Sequence, residues 1–399
     1  MKQKIFIVLL LSVIIFSHVL IAQERTFETD PQILDLSLIA PVIQTSPGPE
    51  YAPEARLWQG IPGIERTKNG RLFAIWYSGG KGEGPDNYVV VITSDDDGET
   101  WSAPRVVIDP EGKVRAYDPV LWHDPVRRLW VFWAQSYDWF DGRSGTWAIR
   151  CDSPDSDSLA WTEPRRLQNG IMMNKPTVLS AGEWFLPTAV WNRDPKIPEM
   201  ETERFSNVAA STDMGKTWIR RGGADVPERT FDEHMIIERR DGSLWMLVRT
   251  SYGIGESISE DRGNSWNAGK RSMFPGPNAR FFIRRLNSGR LLYVNHHNFM
   301  NNELKPTRTN LTAFLSDDDG KTWKGGLLLD GRMNVSYPDG VEAEDGRIYI
   351  IYDHSRTGEK EILMAVFREI DVLAGKIVSN DARLQVPVNK AGKISGEER

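Results

Sequence analysis

Six positions in this 399-residue chain stand about six to ten residues ahead of a series of tight turns: Gly60, Asp118, Lys175, the pair Glu233–His234, Arg280 and Tyr337. Five of the six are polar or ionisable, where a strand end facing a core is normally apolar, and such a concentration marks a functional site. Arg249, His296 and Arg308 lie on the strands expected to neighbour them. Carboxyl groups, a phenol and several guanidinium cations aimed at one place suit displacement chemistry on an anionic substrate. Glycoside hydrolysis through an oxocarbenium-like transition state belongs to that class.

The elements that must position these residues follow from a repeat. Four segments match S-x-D-x-G-x-[ST]-W: Ser94–Trp101, Ser211–Trp218, Ser259–Trp266 and Ser316–Trp323; a degenerate fifth spans Ser153–Trp161. Their starts are 59, 58, 48 and 57 residues apart. A second series of turns runs in phase: Asn69-Gly70, Ala181-Gly182, Asp241-Gly242, Ser288-Gly289 and Asp345-Gly346, with His123-Asp124-Pro125 in the missing slot. Each lies between short apolar strands, so each reads as a hairpin. Six units of about 55 residues, each with several short strands, predict an all-β, six-bladed β-propeller of four-stranded antiparallel blades. The apolar stretch Leu36–Gln44 is expected to supply the last strand of blade six and close the ring, and only Asp371–Lys376 reads as helical. The boxes themselves are structural: Asp accepts from the turn backbone, Gly takes the bend and Trp packs between blades.

Composition narrows the function. Forty-nine basic against 55 acidic residues give a net charge of −6 with no basic run, which argues against a nucleic-acid partner. One cysteine, Cys151, six histidines and no HExxH leave no sequence signature for a metal or other cofactor, and none is expected. Residues 1–22 carry Lys2 and Lys4 before the apolar run Ile5–Phe16 and end at Ala22, the pattern of a signal peptide. The mature chain is therefore expected in a bacterial periplasm or outside the cell, free of the membrane and monomeric, with a propeller over 32–388 and a polar tail over 389–399.

With its boxes, the chain resembles the sialidase (neuraminidase) superfamily of six-bladed propellers over roughly residues 55–370. Glu233-HMIIERRDGSLWMLV-Arg249 reproduces that family's Glu, strand, Asp-Gly turn and Arg; Arg308-TNLTAFLS resembles its later arginine; Tyr337 stands eight residues before Asp345-Gly346, as its nucleophile does. The loop after Ser78, GGKGEGPDN, offers Glu83 and Asp86 where the family keeps its acid/base carboxylate, with Glu83 nearer the family's spacing. The resemblance implies retaining exo-hydrolysis of a terminal acidic sugar from a glycan. Tyr337 would be the nucleophile, Glu233 its base, Glu83 or Asp86 the acid, and Arg249 and Arg308 the carboxylate ligands. One departure stands out: Gly60-Ile61-Pro62 has glycine where the family's Arg-Ile-Pro has its third arginine. Arg56, Lys175 and Arg280 are the cations on hand to replace it, with His296 and Asp118 as further substrate contacts, and the loss points to an acidic sugar other than sialic acid. Two rivals stand beside this: a propeller lyase cleaving uronic-acid glycans with Tyr337 or His296 as base, and a glycan-binding propeller without catalysis.

Overall fold

The computed structural model describes residues 30–297 and 307–392; residues 1–22, expected from the sequence to be a signal peptide, lie outside them. Six antiparallel sheets follow one another along the chain, each built from one continuous segment. Their innermost strands are Trp58–Arg66, Val114–His123, Thr177–Val178, Met235–Glu238, Phe282–Arg285 and Val335–Glu342. The next strands outward, such as Leu72–Gly79 and Leu244–Thr250, are buried almost end to end because neighbouring blades cover both faces. This explains their unbroken runs of apolar residues in place of strict alternation.

The hairpin turns repeat atom for atom. Gly70, Gly182, Gly242, Gly289 and Gly346 take positive φ, and in the second blade Arg127 does so at φ 68° without glycine. Asp124 makes this possible, accepting from the backbone of Val126 and Arg128. The boxes are equally regular. In blade one, the Ser94 hydroxyl accepts from Gly98 N and donates to Asp96, which also accepts from Thr100 N at 2.9 Å. Blades three, four and five repeat this with Asp213, Asp261 and Asp318. Box glycines sit against the preceding blade: a Cβ on Gly215 would stand 3.0 Å from the Trp130 ring. The largest fully buried tryptophans, Trp76, Trp122, Trp130, Trp133 and Trp245, lie outside the boxes, so blade-to-blade packing uses the residue more widely than the repeat alone implies.

Hydrogen bonds from Thr100, Thr217, Ser265 and Thr322 hold the four box carboxyls down to about 2. Free aspartates titrate near 4, so the box contribution to stability is complete above about pH 4 and is lost as pH falls to about 2. Thermal melts across that interval should show a steep loss of stability. Replacing all four aspartates by asparagine should flatten it.

Two expectations about the ends of the ring are corrected. Ile43–Gln44 does not complete blade six; it pairs with Val106–Ile108 as a fifth, outer strand of blade one. Blade six is completed by Arg383–Lys390 against Glu361–Phe367, so the sheet takes in Asn389 and Lys390 from the expected tail. Val388 is buried on that strand, which occupies the edge the N-terminal segment was expected to cover. The helix runs Glu369–Ala374 rather than 371–376. Asp371 caps it through Arg368 N, and Gly375 at φ 65° ends it. One further helical turn, Pro31–Leu34, precedes the propeller.

Candidate active site

Three innermost strands break register at the same place. Pairing skips between Gly60 and Gly63, between Tyr117 and Val120 and between Ser336 and Asp339, leaving Ile61-Pro62, Asp118-Pro119 and Tyr337-Pro338 as bulges. Ile61, Asp118 and Tyr337 all have positive φ, at 59°, 50° and 56°. Proline cannot donate to the ladder, and a bulge turns the preceding side chain out of the sheet. The blade-one equivalent of Asp118 and Tyr337 is thus Ile61, one residue beyond Gly60. Blade four reaches the same end through Phe231, Asp232 and Glu233, three consecutive residues at positive φ. Such backbone costs about 1–3 kcal/mol per residue and persists where surroundings enforce it. Here Asn174 donates to the Glu233 and His234 carbonyls, and Asp232 accepts from Ser206 and Arg229.

These side chains meet in a cavity of about 170 Å³ lined by Glu83, Arg115, Asp118, Glu233, Arg249, Arg308, Tyr337, Arg356 and aromatic rings. Tyr337 is 4 % exposed; its hydroxyl stands 3.4 Å from Glu233 Oε1 and accepts from Arg249 Nη1 at 3.1 Å. Arg249 also forms a short ion pair with Glu233. Asn278 bridges two cations: its side chain accepts from Arg249, and its carbonyl accepts from Arg308 Nη2 at 3.2 Å. The guanidiniums of Arg308 and Arg356 lie 5.1 and 4.9 Å from the centre of the Tyr337 ring. Tyr77, Tyr117, Trp139, Trp191 and Phe231 supply an apolar wall.

Arg356 is the residue the sequence reading missed. It follows the second strand of blade six and occupies the space that Gly60 leaves: a Cβ on Gly60 would overlap its side chain, standing 2.7 Å from Cγ. Burial works against its charge, but Asp353, Tyr337 and Glu83 more than offset this and raise its pKa. Nη1 is 3.2 Å from Glu83 Oε1. Among the guanidiniums around Tyr337, that of Arg356 thus comes from blade six instead of blade one, while that of Arg280 lies 5.4 Å from the ring centre.

Other proteins share this architecture. A BNR repeat-like domain matches residues 70–350. The chain belongs to the BNR repeat-like family. Among solved structures, this BNR repeat-like protein is similar to the intramolecular trans-sialidase from Ruminococcus gnavus, at 14% identity over 81% of this chain and 97% of that one, with a TM-score of 0.61. It is also similar to the Hadza microbial sialidase Hz136, at 18% identity over 76% of this chain and 64% of that one, TM-score 0.58. A Dyadobacter fermentans protein of unknown function matches at 17% identity over 75% and 92%, TM-score 0.58. Identities this low speak to the fold alone. None of the curated proteins matches this chain.

Within this BNR repeat-like propeller, several residues expected at the site are engaged elsewhere. Asp86 does not line the cavity; its carboxylate folds back over Gly80. Lys175 is spent in the channel, bonded to the Ile64 and Leu121 carbonyls, to Glu65 at 2.7 Å and near Asp339 at 3.2 Å. Arg280 lies under the site and donates to the carbonyls of Met173, Pro62 and Tyr337, so it positions the nucleophile candidate without facing the cavity. Arg56 is fully buried against Tyr51 O and Asn389. His296 Nε2 is 2.7 Å from Val335 O, and burial pushes the ring down to about 4. Lys175, Arg280 and Arg56 satisfy carbonyls that a closed channel would otherwise leave bare. Lys175→Met should strand Glu65 and Asp339 as buried carboxylates and cost roughly 3–5 kcal/mol, read by denaturant unfolding.

Among the described residues, no helix is long and apolar enough to cross a membrane.

Proposed function

We propose that this protein hydrolyses the bond between a terminal, carboxylate-bearing sugar and the rest of a glycan, with retention of configuration. The observation that carries this reading is the Tyr337 hydroxyl within reach of both Glu233 and Arg249, ringed by Arg308 and Arg356. A phenol is a weak nucleophile at its usual pKa of about 10. Glu233 takes its proton as the oxygen attacks, and Arg249 stabilises the charge that develops. A neutral nucleophile avoids repelling an anionic sugar. Arg249, Arg308 and Arg356 bind the sugar carboxylate through charge-assisted hydrogen bonds. The leaving oxygen takes a proton from a cavity carboxyl, for which Glu83 and Asp118 are the two in place.

Because Arg356 fills the vacancy at Gly60, the substrate class includes sialic acids as well as uronic acids. The solved relatives named as sialidase and trans-sialidase agree with that class. A lyase would have to use Tyr337 as its base, because His296 is sealed between blades five and six. The test is incubation of the purified protein with oligosaccharides ending in N-acetylneuraminic acid or glucuronic acid, with products weighed by mass spectrometry. Release of the terminal sugar with gain of one water supports the reading. An unsaturated, ultraviolet-absorbing product, or binding without product, overturns it.

A further inference from the structure

Asp118 is 4 % exposed, lines the cavity, and among the described residues makes no side-chain hydrogen bond or ion pair. That is unusual for a buried carboxyl, which ordinarily finds a partner or takes up a proton. Its backbone explains how it is held there: the Asp118-Pro119 bulge fixes the side chain toward the cavity by main-chain geometry. Glu83 lines the same cavity but is held differently. It comes from a loop, is ion-paired with Arg356, and a proton on it would give up that pair.

Resting on the hydrolase reading above, we infer that Asp118 is the proton donor to the leaving oxygen, and that Glu83 is a positioning residue that holds Arg356. The groups facing Asp118 are Glu83 from the blade-one loop, Arg115 on its own strand, Glu233 from blade four and Arg280 from blade five, with the Tyr77 and Tyr117 rings beside it. Burial, with the nearby Glu83 charge, pushes Asp118 up to about 8 despite the two arginines. It is therefore protonated at neutral pH. Two carboxyls whose surroundings differ this much are the usual sign of separate roles in one site.

The steps balance. The Asp118 carboxyl gives its proton to the glycosidic oxygen as the bond to the sugar breaks. The Tyr337 oxygen bonds the anomeric carbon, and its proton passes to Glu233. Water then attacks that carbon and loses a proton to the Asp118 carboxylate. The Tyr337 oxygen leaves and recovers its proton from Glu233, and both carboxyls are restored.

The experiment compares wild type, Asp118→Asn and Glu83→Gln, as full-length protein, on methyl and 4-nitrophenyl glycosides of N-acetylneuraminic acid and of glucuronic acid. Asp118→Asn should lose about 10²–10⁴-fold on the methyl glycoside, whose leaving group needs the proton. On the nitrophenyl glycoside it should release one equivalent of nitrophenol rapidly and then stall, with azide restoring turnover. Wild-type kcat/KM should fall as pH rises through about 8. Glu83→Gln should weaken both substrates alike, through KM. A leaving-group-dependent loss in Glu83→Gln and not in Asp118→Asn overturns the inference while leaving the hydrolase reading intact. If wild type cleaves none of the four, the hydrolase reading fails and the donor role fails with it. With an active wild type, a protonated-carboxyl infrared band at neutral pH that disappears in Asp118→Asn supports the inference, and its absence from wild type overturns it while the hydrolase reading stands.

Discussion

Tyr337→Phe is expected to lower turnover of a carboxylated glycoside by at least about three orders of magnitude while leaving affinity nearly unchanged. The change removes one oxygen and its contacts with Glu233 and Arg249, the longer at 3.4 Å. Everything that seats the ring remains. Arg280 still anchors the backbone beneath it, and Arg308 and Arg356 still flank its faces. The melting temperature should therefore move little, which separates lost chemistry from lost structure. Steady-state kinetics together with calorimetric binding of the product sugar make the comparison. Wild-type turnover in Tyr337→Phe would remove the nucleophile from the scheme.

The second large effect concerns Gly60 and Arg356, which act as a pair. Arg356→Ala removes one of the four arginines that line the cavity, Arg115, Arg249, Arg308 and Arg356, and should cost about 3 kcal/mol in transition-state binding, near 100-fold in kcat/KM. The loss should be confined to substrates with a free carboxylate and be small for their methyl esters. Gly60→Ala should move the same way without touching a charge, because the new methyl group meets the Arg356 stem. Arg356 cannot yield cheaply, being tied to Glu83 and near Asp353. The exchange Gly60→Arg with Arg356→Gly returns a guanidinium to the vacancy from blade one and should recover part of the activity. A fully active Gly60→Ala would show that Arg356 does not serve the substrate.

The repeat made the fold legible because each blade carries the same local chemistry at a fixed interval, and local hydrogen bonds read directly from spacing. Glu233, Arg249 and Tyr337 were legible for a related reason: their intervals from the turns fix their strand and their end of the channel. Lys175 and Arg280 were misplaced because spacing along a strand does not tell a cation that faces a cavity from one a few ångströms deeper that caps carbonyls. Arg356 escaped notice because nothing local marks it. Its role comes from a hole left by a glycine nearly 300 residues earlier, visible only once the first and last blades stand side by side. The N-terminal segment was assigned to the wrong edge for a similar reason, since an apolar run shows that it pairs with something but not with which strand.

Among the described residues, five of the six boundaries between blades are crossed by the chain; the one between blade six and blade one is not, because each blade is finished by its own segment. That seam is fastened by side chains: Asp353 accepts from Ile61 N, Asp339 from Ile64 N, Gln59 donates to Lys360 O, and Arg356 reaches Glu83. The same seam runs through the cavity, with Tyr337 and Arg356 on one side and Glu83 on the other. On the proposed function, a sugar held from both sides acts as a clasp on a joint that side chains fasten, and its binding energy adds to the cohesion of the whole ring. Affinity and resistance to unfolding become one property measured in two ways, and wear at the joint would show first as a loosened grip on the ligand.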